Sequence, residues 1–284
     1  MLPIKDNNPT HITPYVTYVL IAANVLVFLI ILVLPEEIQG RTKFALGAIP
    51  AVVFQTKDIF ADHAILPDSI DFLSVITSQF LHAGWWHLIG NMLFLWVFGN
   101  NIEDAMGRWR FLIFYLLCGV GAALINAGIK PASEVPTIGA SGAISGVLGA
   151  YLLLYPRAKV MVFALYMLIP LPAFIVLGLW IFMQIANLGG GGNIAWWAHI
   201  GGFAVGMVLV LPFKRRHVKL FGTGHLNQTA HPDTIVTTTP VETKPEGANP
   251  WGPKINGPWA QKTPYSAIPR RRSIIPGVGR RKKD

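Results

Sequence analysis

The sequence predicts an all-α, polytopic membrane protein with six transmembrane helices and a basic tail outside the bilayer. Of its 284 residues, 52% are hydrophobic and only 13% are charged, whereas a typical soluble domain carries about 25% charged residues. The mean hydropathy is +0.48. This depletion of charge, together with six separate apolar runs, indicates that lipid is the solvent for most of the chain.

The apolar runs define the predicted helices. A bilayer-spanning helix needs about 20 mostly apolar residues, and six runs reach or approach that length. They are approximately Tyr15–Leu34, Trp85–Asn101, Phe111–Ile129, Gly139–Tyr155, Ile169–Leu188 and Ile194–Phe213. The second and fourth are short, which favours helices packed inside the bundle. The first run is followed by Pro35-Glu36-Glu37 rather than by a small-residue cleavage site, so we predict a retained span.

The segments outside these runs complete the predicted organisation. Residues 1–14 are expected to form a cytoplasmic N-terminal segment, and residues 15–213 the six-helix domain. Between the first two spans lies a long loop in which Phe72–Leu81 either rests at the membrane interface or extends the second span. From Lys214 to Asp284 the chain is rich in Pro, Thr, Gly and Asn and ends in Arg and Lys clusters, a composition typical of a disordered tail.

The positive residues predict the orientation. With a cytoplasmic N-terminus, the outer loops hold four basic residues, and the inner loops hold five and lead into the basic tail. The outer residues are Arg41, Lys43, Lys57 and Lys130; the inner residues are Lys5, Arg108, Arg110, Arg157 and Lys159. The positive-inside rule therefore places both termini in the cytoplasm. The tail clusters either contact anionic lipid or serve only orientation and solubility. The compact layout favours a bacterial inner membrane.

Two polar residues inside the predicted spans carry the functional hypothesis. Ser141 lies in Gly139-Ala140-Ser141-Gly142, and His199 lies in Ala198-His199-Ile200-Gly201-Gly202. Polar side chains at bilayer depth are rare and mark functional candidates, and a serine with a histidine suggests a nucleophile with its general base. The structural alternatives are a small residue that permits helix packing at Ser141 and a histidine bonded to a backbone carbonyl at His199.

A second pair supports the same site. His87 and Asn91 are four residues apart and share one helix face, and both can donate hydrogen bonds to an oxyanion beside the backbone N–H of Ser141. Alternatively, they hold helices together. In the predicted topology His87, Asn91, Ser141 and His199 all lie near the outer ends of spans two, four and six, at similar depth. His82, about one turn earlier, is a supporting candidate.

Several chemistries are disfavoured by what the sequence lacks. No Asp or Glu lies within the six apolar cores except at the inner edge of span two, so a serine–histidine dyad is expected rather than a triad. The same lack argues against a proton-coupled transporter. No zinc-binding spacing or phosphate-binding glycine loop is present, and we expect no cofactor, metal or nucleic-acid partner. The lone Cys118 can form no intramolecular disulfide.

The combined motifs resemble the rhomboid family of intramembrane serine proteases. The resemblance rests on the run from Phe80 to Asn91, on Glu103 with Gly107-Arg108, and on the Ser141 and His199 motifs with Gly206. It implies a six-helix core with Ser141 as nucleophile and His199 as base. It also implies an oxyanion hole from His87, Asn91 and the Ser141 backbone, with Gly139, Gly142 and Gly202 in support.

The resemblance also implies the substrates and shows two departures. Substrates of the family are single-span membrane proteins cut in or near the span. Family members often place an aromatic residue one turn after the nucleophile, where this chain has Ser145, so Trp196 or Trp197 is expected to orient His199. No Trp-Arg pair occurs in the first loop, although Trp109-Arg110 is expected in an inner loop, where Glu103, Gly107 and Arg108 are expected to be structural.

The sequence thus predicts a serine endopeptidase of the membrane. One rival is a catalytically silent rhomboid-like protein that binds membrane clients. Another is a transporter or channel, which would need internal repeats or buried charges that the sequence does not contain. The natural substrate and the oligomeric state are not encoded in these patterns.

Overall fold

The structure is a computed structural model that describes residues 2–54, 73–164, 166–188 and 195–222, all within one compact unit. It is mainly helical. The helices are α1 (Tyr15–Leu32), α2 (Glu36–Leu46), α3 (Pro50–Val53), α4 (Ser74–Thr77), α5 (Trp85–Met106), α6 (Arg108–Ile129), α7 (Ser141–Leu154), α8 (Ala173–Ala186) and α9 (Trp196–Phe213). The strands are β1 (Leu2–Asp6), β2 (Lys159–Ala164) and β3 (Met167–Pro172). The predicted tail begins at Lys214, and its residues 214–222 are described, whereas residues 223–284 lie outside the described residues.

The long apolar helices make the chain an integral membrane protein. By length and composition, α1, α6 and α9 are each able to cross a bilayer, and α7 and α8 are shorter apolar helices of 14 residues. Together with α5, of 22 residues, these helices overlap the six predicted runs. The α5 helix continues five residues beyond its predicted end at Asn101. Large apolar side chains such as Val19, Leu26 and Leu211 are exposed along these helices, as is typical of membrane-spanning helices.

The fifth predicted run begins too early. Its residues 169–172 belong to β3, and α8 starts only at Ala173. Pro170 and Pro172 explain the difference, because proline lacks a backbone N–H and disfavours helical conformation in the residue before it. Hydropathy alone could not separate the strand from the helix that follows it.

A small sheet departs from the all-α prediction. The strand order is β1-β2-β3, with both pairs antiparallel, and Leu2 faces Phe163 while Asp6 faces Val160. The predicted N-terminal segment, residues 1–14, therefore supplies a strand. Because its partner is more than 150 residues away in the chain, the pairing is a tertiary property that local sequence patterns do not report.

The first helix is capped by another helix. Pro14 precedes α1 and gives it no side-chain cap, but the fully buried Glu103 of α5 accepts hydrogen bonds from the backbone N–H groups of Val16 (3.0 Å) and Thr17 (2.8 Å) and from Thr17 Oγ1 (2.8 Å). A carboxylate at a helix N-terminus satisfies otherwise unpaired donors. The structural role expected for Glu103 therefore lies in joining α5 to α1.

The connection between α5 and α6 is a single residue, Gly107. Gly107 has φ +87°, and a Cβ placed on it would lie 3.2 Å from the Arg215 guanidinium. Trp109 and Arg110, expected in an inner loop, instead lie in the first turn of α6. The tight turn needs glycine at this position, because other residues rarely adopt positive φ.

The long loop after α1 folds into short helices. Its helices are α2, α3 and α4, and a 3-10 turn follows at Ser78–Phe80. Residues 81–84 then separate this turn from α5, so the described part of the predicted segment Phe72–Leu81 does not extend the second span. Phe72 and the rest of residues 55–72 lie outside the described residues.

The centre of the bundle is held by glycine contacts between α7 and α9. A Cβ on Gly202 would collide with the backbone oxygen of Gly142, and one on Gly206 would collide with the backbone oxygen of Gly146. A Cβ on Gly149 would likewise meet the carbonyl of Phe203. Small residues let membrane helices approach this closely, and the close approach places the N-terminal ends of α7 and α9 side by side.

Candidate active site

Ser141 is the first residue of α7, and the turn before it depends on a glycine. Gly139 has φ +125°, and its N–H donates to the Ser78 carbonyl at 2.8 Å. The backbone N–H groups in the first turn of a helix have no intrahelical partner. Ser141 therefore places its hydroxyl beside donors that favour a developing negative charge.

The structure brings Ser141 and His199 together. Ser141 Oγ lies 2.8 Å from Nε2 of His199, which stands in the first turn of α9. Both side chains are partly exposed, so a reactant can reach them. The contact joins residues 58 positions apart, and it exists because the glycines of α7 and α9 bring the two backbones into contact.

The other imidazole nitrogen has a partner that the sequence analysis missed. Nδ1 of His199 lies 2.7 Å from Oε1 of Gln184 on α8. Gln184 also donates through Nε2 to the Trp180 carbonyl at 3.3 Å. The sequence feature that could have revealed this partner is Gln184 itself. An amide in an otherwise apolar span needs hydrogen-bond partners in the membrane.

Aromatic rings surround the imidazole from other directions. Trp196 meets the His199 ring edge-on, with centroids 6.1 Å apart and an interplanar angle of 88°, and Trp180 lies at 6.1 Å and 39°. Of the two tryptophans expected to orient His199, only Trp196 makes such a ring contact in the described part of the chain. Ser145 instead donates to the Ser141 carbonyl at 2.6 Å, so it bonds to its own helix.

His87 reaches the same place from α5. A Cβ on Gly139 would lie 2.8 Å from Nε2 of His87 and 3.6 Å from Oγ of Ser141. The N–H of Ala83 donates to Nδ1 of His87 at 3.4 Å. In a neutral imidazole the remaining proton then sits on Nε2, which makes this nitrogen a hydrogen-bond donor next to the turn that carries Ser141.

Asn91 and His82 lie on the same side of the bundle. Asn91, one turn after His87, is buried, and its Nδ2 has no hydrogen-bond partner among the described residues. A buried donor without a partner is costly and is available to a ligand oxygen. His82 is 1% exposed and packs edge-on against His87, with centroids 5.1 Å apart, so it supports the ring rather than lining open space.

Among the described residues, no group of three His, Cys, Asp or Glu side chains could hold a metal ion. Cys118 is buried in the core of α6 beside Gly146. The hydrogen bonds of His199 go to a serine and an amide, and no carboxylate takes part in them. The arrangement can transfer a proton between a hydroxyl and an imidazole whose orientation is held by a neutral group.

Comparison with known proteins identifies the family. A family model, the Rhomboid domain, matches residues 70–216. The chain is 31% identical over 147 residues to Rhomboid protein 1, mitochondrial, of Saccharomyces cerevisiae, covering 48% of this chain and 40% of that protein. It is 29% identical over 199 residues to Rhomboid protease GluP of Bacillus subtilis, covering 70% of this chain and 36% of that protein.

A third relative, Rhomboid-like protein 11, chloroplastic, of Arabidopsis thaliana, is 40% identical over 72 residues, which is 25% of each chain. The chain spans less than half the length of these curated relatives. The match of the Rhomboid domain covers more than half of the chain and includes α4 to α9 and the residues around Ser141 and His199. The protein therefore belongs to the rhomboid family.

Proposed function

We propose that the protein is a serine endopeptidase that cleaves membrane proteins within or near their membrane-spanning segments. The observation that carries the proposal is the 2.8 Å contact between Ser141 Oγ and His199 Nε2. A serine attacks poorly unless a base removes its proton, and this contact is within hydrogen-bond reach. Membership of a family that includes a named protease, GluP, supports the same reaction.

The proposed reaction is acyl transfer. Nε2 of His199 takes the Ser141 proton as Oγ attacks the carbonyl carbon of the scissile peptide bond. The C–N bond then breaks, and His199 returns the proton to the leaving amine. Water, activated by the same nitrogen, hydrolyses the ester and regenerates the hydroxyl. Every proton that leaves the serine or water passes through one imidazole nitrogen.

The negative charge that forms on the carbonyl oxygen requires donors. The candidates are Nε2–H of His87, Nδ2–H of Asn91 and the backbone N–H of Ser141 at the start of α7. The hydrogen bond from Ala83 to Nδ1 of His87 and the unpartnered Nδ2 of Asn91 support this assignment. Donors fixed before the reaction stabilise an oxyanion without reorganisation.

The proposed setting is a six-span bundle formed by α1 and α5 to α9, with both termini in the cytoplasm of a bacterial cell and the site opening to the outer side. The asymmetry of Lys and Arg between the loops supports the orientation. The proposed substrates are single-span membrane proteins. Because a helical peptide bond is shielded, helix-breaking residues in the substrate span should favour cleavage.

A catalytically silent, client-binding rhomboid-like protein is the alternative. It shares the fold but does not need a reactive serine, so labelling by a fluorophosphonate probe discriminates the two functions. We expect the probe to modify Ser141 in the wild type and to leave Ser141→Ala unmodified. Ser145→Ala is the matched control, because this serine lies one turn along the same helix, and it should retain labelling at Ser141 by mass spectrometry.

Cleavage of a co-expressed single-span reporter provides the second half of the test. The wild type should cut the reporter, and Ser141→Ala should not, while both accumulate in the membrane as folded protein. Equal cleavage by the two proteins, or no labelling of Ser141 in the folded wild type, would contradict the protease assignment.

A further inference from the structure

Gln184 is a buried amide on a helix that otherwise presents apolar side chains. It is 7% exposed, while its neighbours Phe182 and Met183 face outward. An amide in this environment is retained only if its hydrogen-bonding groups are satisfied. Both groups of Gln184 are satisfied, by Trp180 on its own helix and by His199 on α9.

The direction of each hydrogen bond follows from one backbone carbonyl. The Trp180 oxygen can only accept, so the group of Gln184 that faces it is the Nε2 amide, and Oε1 faces His199. Oε1 can also only accept, so Nδ1 of His199 must carry a proton. In the neutral imidazole Nε2 is then unprotonated and accepts from the Ser141 hydroxyl at 2.8 Å.

We propose that Gln184 is a positioning residue that holds His199 in the tautomer able to act as a base. This inference rests on the proposed protease function. The amide sets the ring orientation and the proton position from α8, in the place where a carboxylate would act in a triad. Because the amide is neutral, it fixes the tautomer without the strong stabilisation that a carboxylate gives to the imidazolium ion.

Because Gln184 belongs to α8, the orientation of His199 depends on a third helix. Ser141 and His199 are brought together by backbone contact between α7 and α9, but the ring orientation of His199 is held by two residues of α8. Gln184 and Trp180 are four residues apart on one face of that helix, and both contact the imidazole. The base is therefore correctly oriented only while α8 packs against α9.

Three substitutions on α8 or directly after it test the role. Gln184→Met keeps the approximate length of the side chain and removes the acceptor. Removal of partners that orient metal-bound histidines typically costs about 10- to 100-fold, and we expect a loss of that size in kcat with little change in KM. Gln184→Glu keeps an acceptor oxygen and should recover much of the lost rate. Asn187→Leu, at an exposed position just after α8 whose side chain donates to the Met183 carbonyl, is the matched control and should behave as the wild type.

The pH profile separates positioning from a merely structural role. A carboxylate at position 184 favours the protonated imidazole, so the acidic limb of kcat/KM should move to higher pH in Gln184→Glu than in the wild type. If Gln184 only packed against α9, its substitutions would lower thermal stability and leave the shape of the profile unchanged. An unchanged profile in Gln184→Glu, or full kcat in Gln184→Met, would overturn the inference.

A measurement without turnover keeps this inference separate from the proposed function. In protein labelled with ¹⁵N-histidine, the His199 signals, assigned by their loss in His199→Gln, should show a protonated Nδ1 in the wild type. A mixture of tautomers is expected in Gln184→Met. If Ser141→Ala cleaves as well as the wild type, the protease assignment fails. If the wild type cleaves and Gln184→Met keeps the same tautomer and rate, only the positioning role fails.

Discussion

Two histidines close to the Gly139–Ser141 turn have opposite hydrogen-bonding roles. His87 accepts from the Ala83 N–H through Nδ1, which leaves a proton on Nε2. His199 has its Nδ1 against the Gln184 oxygen, which leaves Nε2 free to accept. An imidazole therefore provides a donor on α5 and an acceptor on α9. The two differ because Nδ1 of His87 faces a backbone N–H, whereas Nδ1 of His199 faces an amide oxygen.

The residue scale yields a prediction for Asn91. Its Nδ2 has no partner among the described residues, so Asn91→Ala should change stability little while removing the donor that we propose for the oxyanion. Loss of one such donor costs about 100- to 1000-fold in kcat, and the KM should change little. Steady-state cleavage of a purified reporter in detergent measures both constants.

Gly90→Ala is the matched control for Asn91, because it lies next to it on α5 and a Cβ there has nothing within 4 Å. It should retain wild-type kinetics. If Asn91→Ala keeps its kcat, or loses it only in proportion to a fall in folded protein, the oxyanion role is wrong.

At the scale of elements, α7 and α9 approach each other closely because glycines, which have no side chain, lie where the two helices meet. Along the line where α7 meets α9, Gly142, Gly146, Gly202 and Gly206 present backbone to backbone. Helices packed through larger residues lie 8–10 Å apart between axes, so a side chain here would push the N-terminal ends of α7 and α9 apart. The reach of His199 to Ser141 is therefore a consequence of the glycine contact.

Gly202→Ala tests this dependence. The added methyl group would collide with the Gly142 backbone oxygen, so α9 must shift. A displacement of about 1 Å at a reactive pair can cost about 100-fold, and we expect a loss of activity of at least that size together with a lower unfolding temperature. Cleavage assays and thermal unfolding in detergent measure the two effects.

Gly178→Ala provides the comparison. It is a glycine within α8 where a Cβ has nothing within 4 Å, and it should leave both activity and unfolding temperature close to the wild type. If Gly202→Ala retained full activity, the glycine contact would not be what holds Ser141 and His199 within hydrogen-bond distance.

At the scale of the whole molecule, the N-terminal strand is tied to the bundle through Asp6. Asn101 of α5 donates to its carboxylate through Nδ2 at 2.8 Å, and the Tyr151 hydroxyl of α7 donates to the same oxygen. Asp6 lies outside the spans, and burial raises its pKa from 3.8 to about 6 against the opposing effect of the Tyr151 hydrogen bond. The strand, α5 and α7 thus meet at one ionisable group.

The raised pKa predicts a pH dependence of stability. The folded state holds the Asp6 proton more tightly than the unfolded chain, so the stabilisation is full below about pH 4 and is lost as the pH rises through about 6. Asp6→Asn keeps an acceptor oxygen and has no proton to lose. Its unfolding temperature should change less than that of the wild type between these two pH values.

Thermal unfolding of both proteins across this range measures the difference. The wild type and Asp6→Asn contain the same carboxyl groups apart from Asp6. Subtracting one curve of unfolding temperature against pH from the other therefore leaves only the contribution of Asp6. Parallel curves would show that Asp6 does not carry a raised pKa in the folded protein.

The sequence by itself determined the class of the protein and the identity of the residues at its centre. Apolar runs of span length, four polar side chains near the N-terminal ends of predicted spans two, four and six, and glycines at helical spacing are local properties. They follow from the cost of placing polar groups in lipid and from the steric needs of close helices, so they are readable one segment at a time.

Only the tertiary structure decided how those residues are held. The strand β1 pairs with a hairpin more than 150 residues away, Glu103 caps a helix 86 residues earlier, and Gln184 of α8 forms a hydrogen bond with His199 of α9. Each of these contacts satisfies a hydrogen-bonding group with a partner from another element. A hydrogen bond depends on where two groups meet in space, and local periodicity does not contain that information.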